Sequence, residues 1–229
     1  MARDNSIQTL IQQSIQRGKN LLKRMINRAI VIDFEGVGPD RGASEIPRPT
    51  FLGVLKSGSY LGYFIDDRFS RRMIRSARSV VPERITTGSL TALIASLVEQ
   101  AEQEDRVILH FSCHEPELLE QHLDNEDLAL RLRAVLADGK PLMKRGAKHL
   151  SQGKTASACL DDLAGILVPE TASQQAGIEV GNTIRALEKA AIRGTWTESS
   201  LRKLSELLAY NKLDLEMLQQ GTREARRIL

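Results

Sequence analysis

Ala29-Ile30-Val31-Ile32-Asp33-Phe34-Glu35-Gly36 is the stretch on which both fold and chemistry turn. Its four leading apolar residues, mostly β-branched, read as a buried strand. The strand ends in Asp33 and Glu35, spaced i and i+2, which puts both carboxylates on one face of the sheet. Like charges that close repel unless something positive sits between them, and a divalent cation with oxygen ligands is the natural occupant. An isolated Asp-x-Glu also suits a strand end with two solvated carboxylates. The rest of the chain must therefore supply further ligands if a metal is to be held.

Composition limits the choices. A chain of 229 residues fits one domain with a small extension. Its apolar fraction of 41% suffices for a core, and its 4% aromatics mean that the core is mainly Leu, Ile, Val and Ala. No apolar run approaches the roughly 20 residues needed to cross a bilayer. The start, Met1-Ala2-Arg3-Asp4-Asn5, lacks the apolar stretch of a signal peptide. These features lead us to expect a soluble cytoplasmic protein with no membrane partner. Two cysteines, Cys113 and Cys159, are too few for a disulfide framework or a cysteine-based zinc site.

The net charge is only +3, but the positive residues are grouped. Arg3, Arg17, Lys19, Lys23, Arg24 and Arg28 face the single acid Asp4 in the first 28 residues. Arg68, Arg71, Arg72, Arg75 and Arg78 form a second group, and Lys140, Lys144, Arg145, Lys148 and Lys154 a third, neither containing an acid. Such groups either follow a phosphate backbone or form solvated helix faces.

Apolar spacing predicts the elements. Residues 5–27 read as a helix interrupted by Gly18, so 1–27 is expected to be a helical arm and 28–229 the main domain. Strand one, about 28–34, runs into the loop Gly36–Gly42. Thr50–Lys56 and Tyr60–Ile65, joined by Ser57-Gly58-Ser59, read as a β-hairpin. A helix follows over Ser89–Glu104, then a strand at Val107–Phe111, a helix beginning near Pro116 and another over Glu126–Ala137. Pro141-Leu142-Met143 reads as a short fifth strand and Cys159–Leu167 as helical. Asn182 suits the N-cap of a helix to Ile192, and a last helix spans Glu198–Gln220 with Gly221 closing it. The order predicts an α/β fold with a mixed sheet of about five strands flanked by helices. Strand one should pair in parallel with Val107–Phe111, because a helix links the two layers.

Two further acids stand where they can complete the site. Glu115 follows Val107–Phe111 at a strand-to-helix junction, where it equally suits an acidic first helical turn. Tyr210 and Asp214 are i, i+4 on the last helix and share a face. Asp124 and Asp127 are alternatives to Glu115. His110 and His114 flank Cys113 and would share a strand face, yet no outside ligand accompanies them, so structural histidines are the simpler reading. Trp196, just before the last helix, reads as a packing anchor. No P-loop is present, and Gly36-x-Gly38 lacks the third glycine of a dinucleotide motif.

The order of these blocks resembles the DEDD superfamily of 3′→5′ exonucleases, built on the RNase H-like fold, in its tyrosine variant. The wording Ile-Asp-Phe-Glu-Gly at 32–36, His-Phe-Ser-Cys-His-Glu-Pro-Glu-Leu-Leu at 110–119 and Tyr-Asn-Lys-Leu-Asp-Leu-Glu at 210–216 is similar to a subfamily described as predicted RecB-like nucleases. The resemblance implies that Asp33, Glu35, Glu115 and Asp214 hold two Mg²⁺ or Mn²⁺ ions and that Tyr210 orients the attacking water. It implies a substrate with a single-stranded 3′ end, DNA or RNA. The chain departs from most of the superfamily in having Glu115 where Asp is usual. That departure leaves room for a second reading, a catalytically inactive RNase H-like module that binds nucleic acid or protein.

Overall fold

The computed structural model describes residues 26–37, 46–111, 114–152, 159–169 and 180–229. The expected arm lies outside these residues except for a 3₁₀ turn at Ile26–Arg28, whose Ile26 is wholly buried in the main core. The loop expected at Gly36–Gly42 is described only at Gly36 and Val37.

The fold is α/β, a mixed six-stranded sheet flanked by helices, and is compatible with an RNase H-like architecture. The strands are β1 (Ile30–Glu35), β2 (Phe51–Lys56), β3 (Ser59–Phe64), β4 (Ile85–Thr87), β5 (Ile108–His110) and β6 (Leu136–Asp138). Their order across the sheet is β4-β3-β2-β1-β5-β6. β1 pairs antiparallel with β2 and, as its connection requires, parallel with β5. β5 in turn pairs parallel with β6, so β1, β5 and β6 all end at one edge of the sheet. The β2–β3 hairpin turns on two residues rather than three, because Ser59 already pairs with Lys56. Ser57 (φ 53°) and Gly58 (φ 76°) both take the left-handed conformation that matches the twist of a tight hairpin.

Among the described residues there are eight α-helices, α1 (Arg71–Ala77), α2 (Leu90–Gln103), α3 (His114–His122), α4 (Glu126–Val135), α5 (Lys140–Leu150), α6 (Leu160–Leu167), α7 (Val180–Arg193) and α8 (Glu198–Ile228). They divide between the two sheet faces. Ile30, Ile32 and Phe34 pack with the apolar faces of α2, α3 and α4. Val31, Phe51, Leu55 and Phe64 pack with α1 and α5 to α8. Alternation along β1 therefore sorts its side chains between two cores, and Asp33 and Glu35 fall on the α8 side.

Several local expectations are corrected. Pro141, Leu142 and Met143 lie in α5, not a strand; the neighbouring strand is Leu136–Asp138, whose first two residues fall within the helix expected over Glu126–Ala137. The three-residue strands β4 and β6 are too short to show a period of two. Asn182 sits inside α7, which begins at Val180. α8 runs on through Gly221 to Ile228. Gly221 packs rather than caps: a Cβ there would lie 2.3 Å from the Met143 methyl. Gly146 serves the same contact from α5, since its Cβ would stand 2.8 Å from the Ala225 backbone. These glycines let α5 and α8 approach closely.

Gly146→Val should therefore lower stability by about 1–3 kcal/mol through overpacking. A urea melt with an unchanged midpoint would contradict this packing.

Candidate metal centre

Asp33, Glu35 and Asp214 converge at the carboxyl end of β1, with one oxygen of each within 4.8 Å of the others. Register explains the first two. Asp33 pairs with Gly53 of β2, and Gly53 with Gly62 of β3, so two neighbouring glycines form a trough beside Asp33. α8 lies over that trough: a Cβ on Gly53 would strike the Asn211 side chain, while the space above Gly62 is filled by the Phe51 ring, 2.6 Å from a Cβ there, with Leu208 at 3.2 Å. Leu204, Leu208 and Leu215 are wholly buried beneath α8. Seating by these leucines turns Tyr210 and Asp214 towards β1 rather than towards solvent.

Asn211 is the residue the sequence reading passed over. Its side chain is fully buried. Its amide nitrogen donates to Asp33 Oδ2 at 2.8 Å and to Glu35 Oε1 at 3.2 Å. Its carbonyl oxygen accepts from the Tyr60 hydroxyl at 3.1 Å. The only hint in the sequence was its place between Tyr210 and Asp214.

The remaining expected residues are arranged around this centre. Tyr210, partly buried one turn before Asp214, hydrogen-bonds to its carboxylate. Glu115 is buried in the first turn of α3 and lies within electrostatic reach of Asp33 and Glu35, but outside the group of three. It approaches from the opposite layer, since Leu118 and Leu119 of the same helix pack with Ile30 and Ile32. His110, buried in β5, directs Nδ1 towards Glu115 Oε2 at 3.6 Å. His114 starts α3, so the expected sharing of a strand face does not occur. Cys113 and the side chain of His114 lie outside the described residues. Asp124 and Asp127 are exposed. Trp196 is a packing anchor, its Nε1 donating to the Met73 carbonyl at 2.8 Å.

Electrostatics mark the centre as short of positive charge. Removal from water, then the charges of Glu35, Glu115 and Asp214, hold the Asp33 carboxyl well above its usual range. Burial pushes Glu35 up to about 7, and burial followed by Glu35 and Asp161 takes Asp214 to about 7. The Asp33 and Glu35 carboxyls lie close enough to share a proton. Burial and the nearby Asp214 raise the Tyr210 phenol, so it remains protonated at neutral pH. Lys212, the nearest cation in sequence, is engaged by Glu83 at 3.0 Å. An all-carboxylate group that resists ionisation in this way has the donor chemistry to hold a hard cation.

In comparisons with known proteins, no family model matches the chain and no curated protein matches it in sequence.

The titrations have a consequence for the metal-free protein. Glu35 and Asp214 titrate near 7 when folded, against ordinary values of 4.5 and 3.8. Between those values the folded state holds the extra protons, so stability falls as pH rises. In EDTA, the melting temperature should decline from pH 5 to pH 8. Asp33→Asn should raise it at pH 8 and change it little at pH 5. A wild-type profile flat across that interval, or an Asp33→Asn protein less stable at pH 8, would refute the assignment.

Proposed function

We propose that this chain is a metal-dependent 3′→5′ exonuclease acting on DNA or RNA, in the cytoplasm. The observation that carries the reading is the meeting of Asp33, Glu35 and Asp214 from two distant parts of the chain, with Tyr210 bonded to Asp214. Mg²⁺ or Mn²⁺ suits the donor set, because both prefer oxygen ligands and are commonly bound together with substrate phosphates. Two such ions, when bound, supply an activated water and stabilise the leaving oxygen of a phosphodiester. Asp33, Glu35 and Asp214 would hold one, and Glu115 would share in the second.

The protein's own groups divide the remaining work. Tyr210 keeps its proton and donates it to Asp214, so its oxygen can accept a hydrogen bond from a water and orient it, and does not act as a base. Asp214 fixes that hydroxyl in place. Phosphate contacts outside the centre fall to the exposed cations. Arg145 and Lys148 are exposed on α5, which starts at the edge where β6 ends, while Lys140 in its first turn is half-buried over the Phe111 ring. Arg71, Arg72 and Arg75 are exposed on α1. Arg68 is already committed, to Asp66 and, at 2.9 Å, to Glu188.

The rival reading, a module that binds nucleic acid or protein without turnover, draws on one feature. Glu115 stands outside the 4.8 Å group, so the second cation has fewer preformed ligands than the first. Such a module would bind a single cation, and its grip on nucleic acid would survive EDTA.

Incubation with a labelled single strand and Mn²⁺ separates the readings. The exonuclease should shorten linear strands from the 3′ end and spare a circle. Asp33→Ala and Asp214→Ala should each lose at least about 10³-fold in rate, and Tyr210→Phe about 10–100-fold. No digestion by the wild type, or digestion equally fast by Asp33→Ala, would exclude the enzyme.

A further inference from the structure

Deepening the metal-site reading on which it rests, we propose that Asn211 is the positioning residue of that site. Its amide holds Asp33 and Glu35 in a spacing ready for a cation, and Tyr60 and Gly53 hold Asn211. A wholly buried primary amide is costly unless its hydrogen-bonding groups are used. Here the two amide hydrogens go to different carboxylates, at 2.8 and 3.2 Å, and the oxygen takes the Tyr60 hydroxyl at 3.1 Å. The Tyr60 bond fixes which end of the amide faces the acids.

The chemistry of the donor matters. A lysine or arginine in this place would cancel the negative charge and stand where the cation belongs. A neutral amide ties down one oxygen of each carboxylate and leaves the charge intact. It thus restrains the ligands from outside, as partners of metal ligands commonly do. The sheet is cut to fit it. Gly53, opposite Asp33, provides the space for the amide: a Cβ there would sit 1.7 Å from Asn211 Oδ1. The neighbouring cation Lys212 is drawn off to Glu83.

Titration of the full chain with Mn²⁺, followed by calorimetry, tests this assignment without reference to turnover. Asn211→Ala and Gly53→Ala should each weaken Mn²⁺ binding about 10–100-fold, although neither removes a ligand. Tyr60→Phe keeps the amide, removes its anchor and should fold; it should weaken binding several-fold. Ile32→Val loosens the core beside Asp33 without touching a polar group. It should lower the melting temperature and leave the Mn²⁺ affinity unchanged, which distinguishes positioning from general loss of stability. Wild-type affinity in Gly53→Ala and Tyr60→Phe would overturn the role of Asn211 while leaving the metal site standing. A wild type that takes up no Mn²⁺ would overturn the metal-site reading itself.

Discussion

Carboxylates forced together without a counter-charge are the constraint around which this protein is arranged. With oxygens of Asp33, Glu35 and Asp214 all within 4.8 Å of one another, two full charges repel by at least about 3–4 kcal/mol at an effective dielectric near 20. A domain's entire stability is only about 5–15 kcal/mol. The metal-free molecule meets this by holding protons, as the raised carboxyls show, and by lending hydrogen bonds from Asn211. Stability is surrendered at this one point, and the leucines beneath α8 and the two apolar cores supply it elsewhere. A local conflict that survives inside an otherwise consistent fold is where function is to be sought.

The architecture explains how distant residues reach that point. In an open α/β sheet the carboxyl ends of the strands are where loops and helix starts gather. β1 delivers two acids there directly. α8 delivers Tyr210, Asn211 and Asp214 over one face, and α3 brings Glu115 across from the other. The paired glycines of β2 and β3 set the depth at which α8 lies. A side chain at Gly53 would displace Asn211 of that helix, and one at Gly62 would first meet the Phe51 ring.

Positive charge is distributed to complement the centre without quenching it. Lys212, the nearest cation in the sequence, and Arg68 are bound to acids of their own. Exposed cations remain on α1 and α5. Such a pattern leaves the acidic centre without a compensating side-chain cation among the described residues and keeps the free positive charge on the surface. Among the described residues no helix is long and apolar enough to cross a membrane.

What could be read in the sequence was what repeats locally. The apolar run of Ile30–Ile32, the hairpin, the apolar stripe of Leu90, Ile94 and Leu97 and the pairing of Tyr210 with Asp214 follow from periods of two and 3.6, which neighbours in the chain set by themselves. The sequence also named Asp33, Glu35 and Asp214, because their spacing relates each to its own element. Only the tertiary structure decided which way α8 faces, that Gly221 packs inside a helix instead of ending it, and that Glu115 comes in from the other layer of the sheet. Only it showed Asn211 as the bond between two acids, and Gly53 as the space that admits it. Those outcomes depend on contacts between elements far apart in the chain, where the partner across the interface, and not the local pattern, determines what a side chain meets.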